Sequence, residues 1–81
     1  MEEQKIRQDT ISIGGNIRRV RLERHVGQTE LVRRLQLMGV DMTRETLVKI
    51  ERGTQHIRAS QLRGIRDALQ TTYEELLQPM A

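Results

Sequence analysis

The stretch Thr43-Arg44-Glu45-Thr46-Leu47-Val48-Lys49-Ile50-Glu51-Arg52-Gly53 decides how this chain is read. Threonine is a good N-cap, because its hydroxyl accepts a bond from a backbone N–H that the start of a helix leaves free. Glycine at the other end stops the helix cheaply. Between them Leu47 and Ile50, three apart, mark a buried side, while Arg44, Glu45, Thr46 and Lys49 fall away from it. The segment is predicted to be a short helix that leans on its neighbours with one face and offers charge with the other.

Upstream, Gly39-Val40-Asp41-Met42 is a break, since glycine ends helices and aspartate favours turns. Before it, Leu31, Leu35 and Met38 repeat at four and three, so a second helix starts near Gln28 and ends at about Met38, with Glu30 complementing its N-terminus. Further back, Ile13, Ile17 and Val20 show the same spacing and predict a first helix over 13–24, interrupted by His25-Val26-Gly27. Downstream, Thr54-Gln55-His56 is a polar connection, and Leu62, Ile65, Ala68 and Leu69 mark a fourth helix. Gly64 within it costs about 1 kcal/mol relative to alanine. Thr72-Tyr73-Glu74-Glu75 reads as a capping box that opens a short fifth helix through Leu77, and Pro79 prevents its extension. No period-two segment is long enough for a sheet. Residues 1–9 show no buried face, so positions 1–12 are expected to form a mobile N-terminal arm ahead of a single domain at 13–78.

The fold class expected is therefore all-α, a compact bundle of five helices. An 81-residue chain has material for one core. With no cysteine, that core is held by apolar packing and a few polar bonds. The apolar stretches are short and the N-terminus has no signal-peptide hydrophobic region, which predicts a cytoplasmic protein with no membrane contact. The formal net charge is +3, but the charges are unevenly placed: residues 13–69 carry twelve Lys/Arg against six Asp/Glu, and both ends are acidic. A basic middle with acidic ends suits contact with a polyanion, although a merely solvated basic surface looks the same from charge alone. Arginine outnumbers lysine twelve to two, which favours phosphate or guanine through the bidentate guanidinium fork.

Other chemistries find little to work with. His25 and His56 sit in different connections with no cysteine or carboxylate cluster, so no metal site and no cofactor are expected. There is no glycine-rich phosphate loop and no histidine beside a candidate nucleophile, so the chain is not expected to be an enzyme. Tyr73 is the lone aromatic, which leaves nothing for the base stacking that single-strand binders use. Double-stranded DNA is the expected partner. A basic third helix preceded by a helix and a turn suits the major groove, about 12 Å wide. Its first turn would point Arg44, Glu45 and Thr46 at base edges, with Lys49 one turn on. Arg44 can donate two bonds to guanine, Glu45 can accept from cytosine or instead orient Arg44, and Thr46 can meet a phosphate or a thymine methyl.

The order and spacing of four stretches carry a resemblance over about residues 13–77. They are Ile13-Gly14-Gly15-Asn16-Ile17-Arg18-Arg19-Val20-Arg21, Gln28-Thr29-Glu30-Leu31, the segment Thr43 to Gly53, and Glu74-Glu75-Leu76-Leu77. Together they resemble the Cro and phage-repressor type of helix-turn-helix domain, also called the xenobiotic-response-element family. The resemblance implies a lambda-repressor-like fold whose helices 2 and 3 form the helix-turn-helix, and a transcription regulator, most simply a repressor. It implies a phosphate contact for Gln28, base contacts for Arg44, Glu45 and Lys49, and a place near the DNA backbone for Arg52, with Thr43 and Thr46 at the same helix start. It also implies an ion pair between Arg21 and Glu51, either an exposed pair or a half-buried strut. A homodimer on a two-fold operator is the expected assembly, with Ile57, Leu76, Leu77 and Met80 as candidates for its surface or for plain core. Any signal would act through a regulatory protein partner or through abundance. The rival reading is an antitoxin-like or adaptor protein that uses the same fold mainly to bind protein.

The chain departs from the pattern where seven residues, Gln36 to Met42, separate Leu35 from Thr43 in place of a tight turn. The second helix is expected to run an extra turn there. His25 stands where a left-handed glycine is usual, and Gly27 where a Ser or Thr cap is usual.

Overall fold

The computed structural model describes Glu3, Lys5–Ile6 and residues 11–79. Among these residues five helices and one short two-stranded sheet follow in the order β1 (Lys5–Ile6), α1 (Ile13–Glu23), α2 (Gln28–Leu37), α3 (Arg44–Arg52), β2 (Ile57–Arg58), α4 (Ala59–Ala68) and α5 (Tyr73–Leu76). Each of the predicted helices is present within a residue or two of its expected bounds, α4 beginning ahead of the apolar positions that marked it. Ile13, Ile17, Val20, Leu31, Leu35, Leu47, Ile50, Leu62, Ile65 and Leu69 meet in a single apolar cluster, so the spacings of three and four converge on one core, except at Met38, which caps α2 and is 46% exposed.

Side-chain caps start three of the helices: Ser12 Oγ accepts the Gly15 N–H of α1, Thr43 Oγ1 that of Thr46 in α3, and Thr72 Oγ1 that of Glu75 in α5. The ends of the four longer helices share one device. Val26, Val40, Thr54 and Thr71 donate their N–H groups to the carbonyls of Arg21, Leu35, Lys49 and Arg66 respectively, five residues back. Each such closure puts the preceding residue in the left-handed region, and those residues are His25, Gly39, Gly53 and Gln70. Gly39 and Gly53 adopt it freely, whereas His25 at φ 57° and Gln70 at φ 53° do so against Cβ crowding.

The expected extra turn of α2 is present, with Met38 as its C-cap. The connection that follows is pinned at three points. Met42 is buried in the core, Gln36 Nε2 donates to the Met42 carbonyl at 2.9 Å, and Gln61 Nε2 from α4 donates to the Asp41 carbonyl at 3.1 Å. Val40 closes the packing against α4, where a Cβ on Gly64 would lie 2.8 Å from Val40 Cγ2 and 3.0 Å from Leu35 Cδ2. Close approach therefore explains the glycine. Gly64→Ala gains about 1 kcal/mol of helix propensity but adds overpacking of about 1–3 kcal/mol. The expected result is a lowered melting temperature in wild type and no further loss when Gly64→Ala is added to Val40→Ala, measured as a thermal-denaturation double-mutant cycle.

One expectation is corrected here. Part of the arm at 1–12 is docked: Lys5 pairs with Arg58 and Ile6 with Ile57 in an antiparallel ladder, Ile6 and Ile11 pack on the core, and Ser12 caps α1. The physical reason lies at α4, whose N-cap residue Arg58 has no side-chain acceptor. Gln61 Oε1 takes the Arg58 N–H at 2.9 Å, and the Glu3 carboxylate takes both the Ser60 N–H and, at 2.9 Å, its hydroxyl. Two-residue strands are too short to show alternation in sequence, so the all-α description gains a small sheet. The dimer candidates stood open between surface and core. Ile57 and Leu76 are wholly buried core residues and Leu77 is half-buried against them, while Met80 lies outside the described residues.

Candidate nucleic-acid interface

Helix α3 has two unlike sides. Leu47, Ile50 and Glu51 face inward and are buried. The Glu51 carboxylate is held by three donors: Arg21 Nε at 2.8 Å on Oε2, and Arg21 Nη2 and Gln28 Nε2, each at 3.0 Å, on Oε1. Arg21 Nη1 reaches on to the Val26 carbonyl at 2.9 Å. Only 8% of the Arg21 side chain and 3% of the Glu51 side chain remain exposed, so this bidentate pair is a buried strut rather than a surface ion pair. One carboxylate thus ties together α1, α2, α3 and the connection between the first two.

The other side of α3 is open. Glu45 and Lys49 project outward and pair with each other at 3.3 Å, one turn apart. Glu45 therefore restrains Lys49, not Arg44. Both are well exposed, and such a pair is worth little in water, so it is easily traded for a ligand. Thr43 and Thr46 are occupied with capping, their hydroxyls 2.9 Å apart. Arg44 and Arg52 are exposed and make no ion pair among the described residues.

A recess of about 460 Å³ runs along one flank of α3, lined by Arg18, Gln28, Arg44, Val48, Glu51 and Arg52. Glu51 is neutralised by Arg21, so Arg18, Arg44 and Arg52 leave this hollow strongly positive. The start of α2 adds to it, because the N-cap Gly27 supplies no side-chain acceptor for the first backbone N–H groups. On the opposite flank a second recess of about 460 Å³ is lined by Lys5, Asp41, Thr43, Thr46, His56 and Arg58, among others, so its two cations outweigh one carboxylate. Lys5 and Arg58 are cross-strand partners in β1 and β2, two cations side by side. The outward face of α3 is therefore bordered on each side by a hollow suited to an anion.

Of the residues singled out in the sequence, Gln28, Arg44, Arg52 and Glu51 meet at the first recess, Thr43 and Thr46 at the second, and Glu45 and Lys49 stand between. Gln28 is drawn inward by Glu51, which leaves its amide oxygen and second N–H for a ligand. Sequence reasoning missed Arg18, Lys5, His56 and Arg58. Arg18 had a signal, since it lies one helical turn before Arg21 and so near the strut. Lys5 and Arg58 had none, because their pairing depends on the short sheet. Among the described residues no group of three or more His, Cys, Asp or Glu could hold a metal ion, and no helix is long and apolar enough to cross a membrane. Comparison with protein families, with curated proteins and with solved structures gives no match.

Proposed function

We propose that this chain is a sequence-specific binder of double-stranded DNA, a transcription regulator that reads the major groove with α3 as the second helix of a lambda-repressor-like helix-turn-helix. The observation that carries the reading is the flanking of one exposed helix by two basic recesses. A helix in the major groove has a phosphate backbone on either side, and two such hollows suit those two strands. Arg18, Arg52 and Gln28 with the open start of α2 serve one strand, and Lys5, His56 and Arg58 the other, as positioning contacts without sequence information.

Glu45 and Lys49, with Arg44 from the first turn, then face base edges. Lys49 donates to guanine once its bond to Glu45 opens, and Glu45 accepts from a cytosine amino group. One helix covers only a few base pairs, so a selective site needs two copies, on half-sites about 34–36 Å apart. Repression follows most simply from occupancy of such an operator.

Selection of bound duplexes from a random pool tests this directly. The expected outcome is enrichment of a two-fold related sequence whose affinity falls steeply with salt. Recovery of no sequence preference, with scrambled duplexes competing as well as any selected one, would overturn it.

A further inference from the structure

Away from α3, a third recess of about 590 Å³ lies between the end of α2 and the outer face of α4. Met38 and Val40 form one wall, Arg63, Gly64 and Asp67 the other, and Tyr73 closes one end. Two apolar side chains that line it are left partly in water, Met38 at 46% and Tyr73 at 38% exposed, and Leu37, next to Met38 in the chain, is 78% exposed. Leu37 ends the turn by which α2 is lengthened, and nothing in the interior requires a leucine there. The surface is apolar at its centre with charges around it, the composition of a protein contact.

Charge decides what kind of partner fits. The recesses beside α3 are net positive, whereas this one sets two carboxylates, Glu3 and Asp67, against the single cation Arg63, so a polyanion is disfavoured. Arg63 and Asp67 lie one turn apart on the exposed side of α4, yet they do not bond to each other. Asp67 Oδ1 is held by Arg66, which in turn stacks over Tyr73 at 4.5 Å. Arg63 makes no ion pair among the described residues. A row of opposite charges one turn apart is complementary to itself when reversed. If two α4 helices cross antiparallel on a two-fold axis, Arg63 of each copy faces Asp67 of the other, and both pairs form at once.

We propose that this face, centred on Met38, Arg63, Asp67 and Tyr73 with Leu37 beside it, is a two-fold contact with a second copy of this chain. The Arg63 guanidinium of each copy bonds the open Oδ2 of its partner's Asp67, and Leu37 and Met38 lose water against the opposite copy. The contact rests on the DNA-binding reading only for its purpose, the joining of two half-sites.

Sedimentation of the free chain without DNA tests it. The native chain is expected to associate reversibly to a dimer. Arg63→Asp alone and Asp67→Arg alone, each of which places like charges opposite each other, are expected to weaken association about tenfold or more. An equimolar mixture of the two variants is expected to restore it, because each chain then meets its opposite at both positions. Leu37→Glu, an exposed change that should leave the helical circular dichroism intact, is expected to give a monomer. A native chain that stays monomeric, single variants that associate as well as the native chain, or a mixture that fails to recover would each overturn the contact. A dimer that follows this pattern but selects no duplex sequence would instead refute the role of α3 and leave the contact standing.

Discussion

Glu51→Ala is expected to bring the domain close to unfolding. The substitution leaves the Arg21 guanidinium buried beside the Val26 carbonyl with no counter-charge and frees Gln28 from its anchor. Breaking a buried pair from one side costs about 3–5 kcal/mol. A domain of this size holds only about 4–12 kcal/mol in all. The melting temperature should fall by roughly 15–30 °C, followed by far-ultraviolet circular dichroism. The companion variant Arg21→Met with Glu51→Leu removes both charges and keeps the volume, so it should lie within about 1–2 kcal/mol of the native chain. A single variant that melts within a few degrees of native would show that the strut does not hold α3.

The second large effect concerns DNA. Arg18→Ala and Arg52→Ala each remove from the recess beside α3 a guanidinium that makes no ion pair among the described residues. On the proposed reading each should weaken binding to all duplexes alike by about ten- to a hundredfold, the worth of a charge-assisted bond, and reduce the salt slope by about one. Lys49→Ala and Arg44→Ala should instead change which duplexes are selected, relaxing preference at particular positions by about 1–3 kcal/mol each. Titrations against a selected site and a scrambled one at several salt concentrations separate the two patterns. The same profile from Arg18→Ala and Lys49→Ala would defeat the division between backbone and base contacts.

Much of the fold is legible in the amino-acid sequence. Spacings of three and four located every long helix because each buries a single stripe, and Thr43, Gly53 and Thr72 marked their ends through local backbone chemistry. The Arg21 and Glu51 pair was implied by resemblance, and its deep burial follows from α1 packing on α3. What stayed hidden depends on residues far apart in the chain. Glu3 takes the Ser60 N–H across the fold, Gln36 and Gln61 pin the Asp41–Met42 connection, and Gly64 is needed only because Val40 arrives beside it. Ile57 stood open between dimer surface and core and is wholly buried, since β2 turns it inward. Gln28 was expected at a phosphate, and its inward bond to Glu51 is a second function that no local pattern announces.

The one-sided anchoring of α3 separates what the helix needs in order to stay in place from what it shows to the outside. Leu47, Ile50 and Glu51 fix its position without help from Glu45, Val48 or Lys49. Those outer sites can therefore drift or be randomised at little thermodynamic expense, and on the proposed reading the domain becomes a chassis with an exchangeable reading head. Close relatives with the same interior could diverge quickly in what they recognise, and an engineer could retarget the chain without redesigning it.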